Sequence, residues 1–134
     1  MYKYAQIPSQ MVADSKSMGE NNDCTVKALA VALGVPYKLA HRHFDLHCGR
    51  RKGRGVVSRK VLPQSLKNTP HKVGPYSNEK RVSLARFCRE HPVGRFYVAV
   101  SGHAIGVVDG VVYDHTDSSR RMVKWAIRVY PKGC

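Results

Sequence analysis

A cysteine at the predicted start of a helix is the residue of this chain best suited to chemistry. Cys24 follows the polar run 21–23 and opens an Ala- and Leu-rich stretch that ends at Gly34, which predicts a helix from Asp23 to Leu33. Unpaired N–H groups and the positive end of the helix dipole favour an anion in the first helical turn. We therefore expect a lowered pKa for Cys24 and a nucleophilic thiolate.

A histidine and an aspartate further along the chain complete a candidate triad. His103 opens a strand-like segment, and the Asp-Gly pair at 109–110 is typical of a two-residue hairpin loop. Pairing the residues on either side of that loop sets the register and makes Asp114 a diagonal neighbour of His103. His103 would then serve as base for Cys24, and Asp114 would orient the imidazole, as in a Cys-His-Asp triad.

A site of this kind also needs hydrogen-bond donors for the oxyanion that forms on an attacked carbonyl. The backbone N–H of Cys24 is one such donor. For the side-chain donor we expect Asn22 first and Asn21 second, with Gln10 and Gln6 as further candidates.

Each of these residues also has an ordinary structural interpretation. Taken alone, Cys24 is a small buried residue, His103 a hydrogen-bonded strand histidine and Asp114 the end of a strand. His41 is either a second candidate base or a surface position on a helix. The other cysteines are expected in the core or at a frayed terminus: Cys48, Cys88 and Cys134.

The composition indicates one globular domain over residues 1–134, because 43% of the residues are hydrophobic. No apolar stretch reaches the roughly 18 residues of a membrane span. The N-terminus lacks the apolar segment of a signal peptide, so we expect a cytoplasmic protein with reduced cysteines and no membrane partner. His43, His47 and Cys48 fit a solvated helix face better than a metal site, so we expect neither a metal nor a cofactor.

The net charge of +14 is suited to polyanions and acidic proteins. The densest basic cluster lies in the region 49–78, where Gly and Pro residues predict a long loop. Phosphate binding and a solvated, flexible loop are both open interpretations of this cluster. Its basic residues are Arg50, Arg51, Lys52, Arg54, Arg59 and Lys60.

The apolar periodicity changes along the chain from helical to strand-like. After an irregular lead-in over 1–20, we expect helices at 23–33, 37–48 and from 78 or 82 to 89, with a short strand at 56–57 and a helical turn at 62–66. Strands are expected at 94–100, 104–108, 111–114 and 123–130. Helices followed by an antiparallel sheet predict an α+β fold.

Both motif segments resemble papain-like proteins. Residues 22–30 with Gly34-Val35-Pro36-Tyr37 resemble small phage-encoded proteins of papain-like fold, and residues 102–114 resemble the His and Asp blocks of papain-like peptidases, such as the bacteriocin-leader peptidase domains of ABC transporters. The resemblance implies N-terminal helices packed on a C-terminal antiparallel β-sheet. It also implies hydrolysis of peptide or isopeptide bonds, in a host cytoplasm if the protein is phage-encoded. Papain-like enzymes commonly carry a Gln before the Cys, where this chain has Met18.

Two classes of function follow from these patterns. The first is a thiol hydrolase, a cysteine peptidase or isopeptidase that forms a thioester with a peptide or protein substrate, which the charge suggests is acidic. The alternative is an inactive papain-like scaffold whose basic loop binds nucleic acid or an acidic host protein. Amidase or transglutaminase-like acyl transfer would use the same triad. The sequence leaves the oligomeric state open.

Overall fold

The computed structural model describes residues 3–51, 53, 62, 65–66, 72–77 and 82–130, with the backbone alone for 72–77. These residues form an α+β fold. Its helices are α1 (Ser9–Ser17), α2 (Cys24–Leu33), α3 (Tyr37–His47) and α4 (Leu84–Glu90). Its strands are β1 (Lys3–Gln6), β2 (Lys72–Ser77), β3 (Val82–Ser83), β4 (Arg95–Val100), β5 (His103–Val108), β6 (Val111–Asp114) and β7 (Met122–Tyr130).

These strands form one mixed sheet in the order β1-β6-β5-β4-β7-β2, with β3 also paired to β7. The prediction of a purely antiparallel sheet is wrong at one edge, because β1 runs parallel to β6. The prediction of an irregular lead-in over residues 1–20 is wrong as well, since this segment contains β1 and α1. A four-residue edge strand and a helix whose one buried residue is Ser15 lack the apolar periodicity that reveals such elements.

The β5–β6 hairpin has the register that its loop predicts. Its Cα partners are Val108–Val111, Val107–Val112 and Gly106–Tyr113. The loop residues Asp109 and Gly110 have φ values of +49° and +77°, the left-handed conformations that a type I′ turn requires. As a result, His103 and Asp114 lie at the same open end of the hairpin.

Helices cover the sheet on both faces, which the alternation along β4 makes plain. Tyr97 packs into the cluster that contains α2 and α3, whereas its neighbours Phe96 and Val98 pack into the cluster that contains α4. Successive strand residues point to opposite faces, so β4 is buried on both sides. The middle of the sheet is therefore packed on both faces, between the cluster of α2 and α3 and the cluster of α4.

A glycine in β5 lets α2 lie very close to the sheet. A Cβ at Gly106 would lie 2.5 Å from the side chain of Val31, so a larger residue would force the helix away. The thiol of Cys24, at the other end of α2, accepts a hydrogen bond from the backbone of Ala104. α2 thus runs along β5 and brings its first residue to the open end of the hairpin.

The helix predictions hold within one or two residues, except for the third. α4 begins at Leu84 because Val82 and Ser83 pair with β7, and the Ser83 hydroxyl caps the helix by accepting from the N–H of Arg86. In the region predicted as a long basic loop, residues 72–77 form β2, while Leu62 and Leu66 are helical and buried. The strand predicted at 56–57 lies outside the described residues. Within the described residues, we find no helix with the length and apolar content needed to cross a membrane.

Candidate active site

The fold brings the thiol of Cys24 into contact with the imidazole of His103. Cys24 is the first residue of α2 and remains partly exposed, whereas His103 is the first residue of β5. Burial opposes a charge on the thiol, but the hydrogen bond and charge of His103 and hydrogen bonds from the N–H groups of Ala104 and Thr25 outweigh it. Together they lower the pKa of Cys24 below its ordinary value of 9.0.

The other side of the imidazole is held by Asp114 at the end of β6. The Nε2 atom of His103 lies 3.0 Å from both carboxylate oxygens of Asp114, which leaves Nδ1 for the thiol. Asp114 is only 3% exposed. Its hydrogen bond, followed by that of Cys24, raises the pKa of His103 to about 9. Both shifts therefore favour the charged forms, a thiolate beside an imidazolium.

Two further donors fix the carboxylate of Asp114. The backbone N–H of His115 donates to Oδ1 at 2.8 Å, and the hydroxyl of Ser118 donates to Oδ2 at 2.7 Å. Burial opposes ionisation here, but these bonds and His103 lower the pKa of Asp114. The carboxylate thus stays charged and cannot rotate freely.

We expect Asp114→Asn to lower the pKa of His103 from about 9 by about one unit or more, because a neighbouring carboxylate contributes a shift of that order. An NMR titration of the His103 ring measures this shift directly. The ring of His91, which contacts Phe87 and Phe96 on the other face of the sheet, is the internal control, because its NMR signals at a given pH should be the same in both proteins. A His103 pKa that stays where it is would mean that the carboxylate is a bystander.

The buried Asp23 links α1 and α3 to the start of α2, beside Cys24. The sequence predicted it only as part of a helix start. Asp23 precedes α2, but its carboxylate does not cap the helix. It accepts instead from the hydroxyls of Ser15 at 2.6 Å and Tyr37 at 2.7 Å, and it pairs with Lys27. α1 and α3 are thereby tied to the residue beside the nucleophile.

Lys27 also links the nucleophile helix to the strand that carries Asp114. Its Nζ atom lies 3.1 Å from Nε2 of His115. Burial, and then the Lys27 charge, lower the pKa of His115, so the ring accepts from the ammonium as a neutral imidazole. Sequence reasoning missed this pair. The only local signal was the position of Lys27 one helical turn after Cys24.

The amides proposed as oxyanion donors are distributed around the site. Asn22, at a φ of +47°, donates its side-chain N–H to the carbonyl of Gly53, and Asn21 is exposed. Gln10 donates to Asp14 within α1. Gln6 pairs in register with Asp114 and donates to the Tyr4 hydroxyl at 2.6 Å and to the His115 carbonyl at 3.4 Å. Gln6 is thus the amide that the fold brings beside the His-Asp end of the site.

Arg50, predicted to be a polyanion contact, is an internal ion-pair partner, and that part of the prediction is wrong. Its side chain is 2% exposed, and its Nη1 and Nη2 atoms lie 2.8 and 3.2 Å from the carboxylate oxygens of Glu20. Arg50 also donates to the carbonyl of Asn21. The Arg50 guanidinium therefore binds the loop that precedes Cys24 and does not face solvent.

The other predicted polyanion contacts divide into two groups. Arg51 is exposed, as a phosphate contact must be. The remainder lie outside the described residues: Lys52, Arg54, Arg59 and Lys60. His41, the second candidate base, contacts the carboxylate of Glu20.

Two further thiols in the described residues lie in different surroundings from Cys24. Cys48 and Cys88 are buried, and burial raises the pKa of both, that of Cys88 to about 11. The imidazole of His43 contacts the hydroxyl of Ser65, and the described residues contain no group of His, Cys, Asp or Glu side chains that could hold a metal ion. Cys134 lies outside the described residues.

Comparison with known proteins identifies no relative, so the function is inferred from the geometry of the site. The chain matches no protein-family profile, no curated protein and no solved structure.

Proposed function

We propose that this protein is a thiol hydrolase that cleaves peptide or isopeptide bonds through Cys24, His103 and Asp114. One observation carries the proposal: the His103 imidazole lies between the Cys24 thiol and a buried carboxylate, with the pKa of the thiol lowered and that of the imidazole raised to about 9. A histidine with a purely structural role would not require an ionised thiol on one side of its ring and an ionised carboxylate on the other. Oppositely shifted pKa values of this kind are typical of an activated nucleophile.

The contacts support a definite sequence of steps. The Cys24 thiolate attacks the carbonyl carbon, and the backbone N–H of Cys24 donates to the oxyanion. The C–N bond then breaks as His103 gives its proton to the leaving amine, which leaves a thioester on Cys24. His103 next takes a proton from water, whose oxygen attacks the thioester. The acid product leaves, and the thiolate is restored beside a protonated His103.

A papain-like arrangement is part of the proposal. It is supported by a nucleophile at the start of a helix that packs on a sheet and by a histidine and carboxylate on adjacent strands of that sheet. The substrate is proposed to be acidic, because the net charge is +14 and because the Lys27 ammonium lies beside His115, the residue that follows Asp114. Charge of one sign around a cleft raises the association rate of oppositely charged substrates.

Alkylation with iodoacetamide tests the proposal without a known substrate. At pH 6, Cys24 should react at least about tenfold faster than Cys48 or Cys88, because only a thiolate attacks and the other two thiols are protonated. His103→Ala should lower the Cys24 rate at pH 6 by about tenfold or more, since the imidazolium no longer stabilises the thiolate. Peptide mapping by mass spectrometry assigns each rate to its cysteine.

The buried cysteines serve as internal controls in every sample, and His91→Ala is the matched control for loss of an imidazole. Equal rates at Cys24 and Cys48, or a Cys24 rate that ignores His103, would contradict the proposal. That result would favour the alternative function, a basic scaffold that binds nucleic acid or an acidic protein. The alternative is supported by exposed cations around α4 and the start of β7, namely Arg86, Arg89, Arg120, Arg121 and Lys124.

A further inference from the structure

A cavity of about 290 Å³ lies at the opposite end of α2 from the thiol. It is lined by Val31 and Gly34 at the C-terminal end of the helix, whereas Cys24 is the first helical residue. At a rise of about 1.5 Å per residue, Val31 lies roughly 10 Å along the helix axis from Cys24. The cavity is therefore separate from the triad.

The walls of the cavity are apolar apart from two side chains. Pro8 and Met11 contribute from the α1 side, Ala30 and Val31 from α2 and Val108 from β5. The two polar side chains in the lining are Arg95 and Tyr113. Small-molecule sites have this character, an apolar surface with a few convergent polar groups, and span about 300–1,000 Å³. The size of this cavity suits a small ligand at the lower end of that range.

Arg95 brings to the cavity a positive charge that is not paired with a carboxylate of the described residues. Its Nε donates to the carbonyl of Ala32 at 2.7 Å and its Nη2 to that of Val31 at 3.1 Å. A guanidinium carries five N–H donors, so three remain after these two bonds. Within the described residues, the ion pairs involve other side chains, and no carboxylate pairs with Arg95. The carbonyl end of α2 offsets the charge in part.

We infer that this cavity binds a small monocarboxylate with a branched or aliphatic tail. The carboxylate accepts from the free N–H groups of Arg95, a charge-assisted contact, with the phenol of Tyr113 as a further donor. The tail, about four to six carbons long, packs against Met11, Val31 and Val108 and leaves water. A free short-chain carboxylate and the C-terminal residue of a peptide ending in leucine present the same chemistry.

Titration of ¹⁵N-labelled protein with 4-methylpentanoate tests the inference. We expect saturable shifts confined to amides around Val31, Gly34 and Val108. Two partial ligands, 4-methylpentan-1-ol without the charge and acetate without the tail, should each bind at least about tenfold more weakly. N-acetyl-leucine separates the two sources: tighter binding than 4-methylpentanoate supports a peptide C-terminus, and weaker binding supports a free carboxylate.

Variants assign the charge and the space to named residues. Arg95→Gln should bring the carboxylate and the alcohol to within about twofold of each other. Val108→Phe should weaken both by filling the cavity, and aromatic residues are well accepted in strands. Arg128→Gln is the matched control, because the Arg128 guanidinium lies over the rings of Phe96 and Tyr130. Because Val108→Phe acts on space alone, the test survives if Arg95→Gln fails to fold.

Three results would overturn the inference: no saturable shifts at the cavity, an alcohol that binds wild-type protein as well as the carboxylate does, or an Arg95→Gln protein that keeps its preference for the carboxylate. Repeating the titration on Cys24→Ala protein should give the same affinities. The outcome is thus independent of whether the protein is a thiol hydrolase.

Discussion

Replacing Cys24 by alanine should abolish acyl transfer to the protein, with a fall of about a thousandfold or more in the acylation rate. An activated ester such as p-nitrophenyl acetate replaces the unknown substrate, and the amount of nitrophenolate released is measured by its absorbance. Wild-type protein should give a burst of one equivalent per chain, because the Cys24 thiolate is acylated before water releases the acetyl group. The steady rate that follows should fall at acidic pH, because a protonated His103 cannot take a proton from the water that attacks the thioester.

Matched cysteine variants separate this effect from general thiol chemistry. Cys48→Ala and Cys88→Ala should keep the burst, since both thiols are buried and their pKa values are raised. The free energy of unfolding of Cys24→Ala, measured with urea, should lie within about 1 kcal/mol of the wild-type value. A burst that persists without Cys24 would place the reactive group elsewhere and remove the basis for the proposed function.

The placement of Cys24, His103 and Asp114 side by side was predictable in part, because the local position of each residue is signalled in the sequence. Cys24 lies between a polar run and an apolar helical repeat, so its position at a helix start follows from a dozen residues of sequence. The Asp-Gly loop at 109–110 sets the hairpin register without reference to the rest of the chain, and the register relates His103 to Asp114. The contact of Cys24 with His103 is the non-local step, and only the chain order of a papain-like protein suggested it.

Features that depend on distant partners escaped prediction. Lys27 and His115 are 88 residues apart, and nothing in either neighbourhood points to the other. The parallel pairing of β1 with β6 brings together residues more than 100 positions apart, such as Lys3 and Val111, through a short strand with little apolar pattern. Arg50 lies in a run of similar charges, and burial, which a sequence does not display, distinguishes it from Arg51.

The buried pair of Glu20 and Arg50 leads to the second large prediction. Glu20→Gln should lower the free energy of unfolding by about 3–5 kcal/mol, because it leaves the Arg50 guanidinium buried without a counter-charge. The Glu20 side chain is fully buried, and it also accepts from the N–H of Gly53 at 2.9 Å. Urea unfolding followed by circular dichroism measures the change.

The exposed pair of Arg86 and Glu90 supplies the control, since their side chains are 58% and 45% exposed and lie 3.4 Å apart. Glu90→Gln should cost less than about 1 kcal/mol. The double variant Glu20→Gln with Arg50→Met should recover much of the loss, because replacing both members of a buried pair by uncharged groups is often neutral. A Glu20→Gln protein as stable as Glu90→Gln would refute the assignment of Glu20 as an anchor.

The same pair predicts how stability depends on pH. Burial opposes ionisation of Glu20, but hydrogen bonds from Arg50, Gly53 and His41 lower its pKa from 4.5 to about 2. A carboxyl whose pKa is lower in the folded state stabilises the fold above its ordinary pKa, and that stability is lost as pH falls towards about 2. Wild-type protein should therefore lose stability between pH 4.5 and 2 more steeply than Glu20→Gln does. Because Glu20 and Arg50 hold the loop before Cys24, the alkylation rate of Cys24 in Glu20→Gln should fall as well, which would tie the anchor to the site.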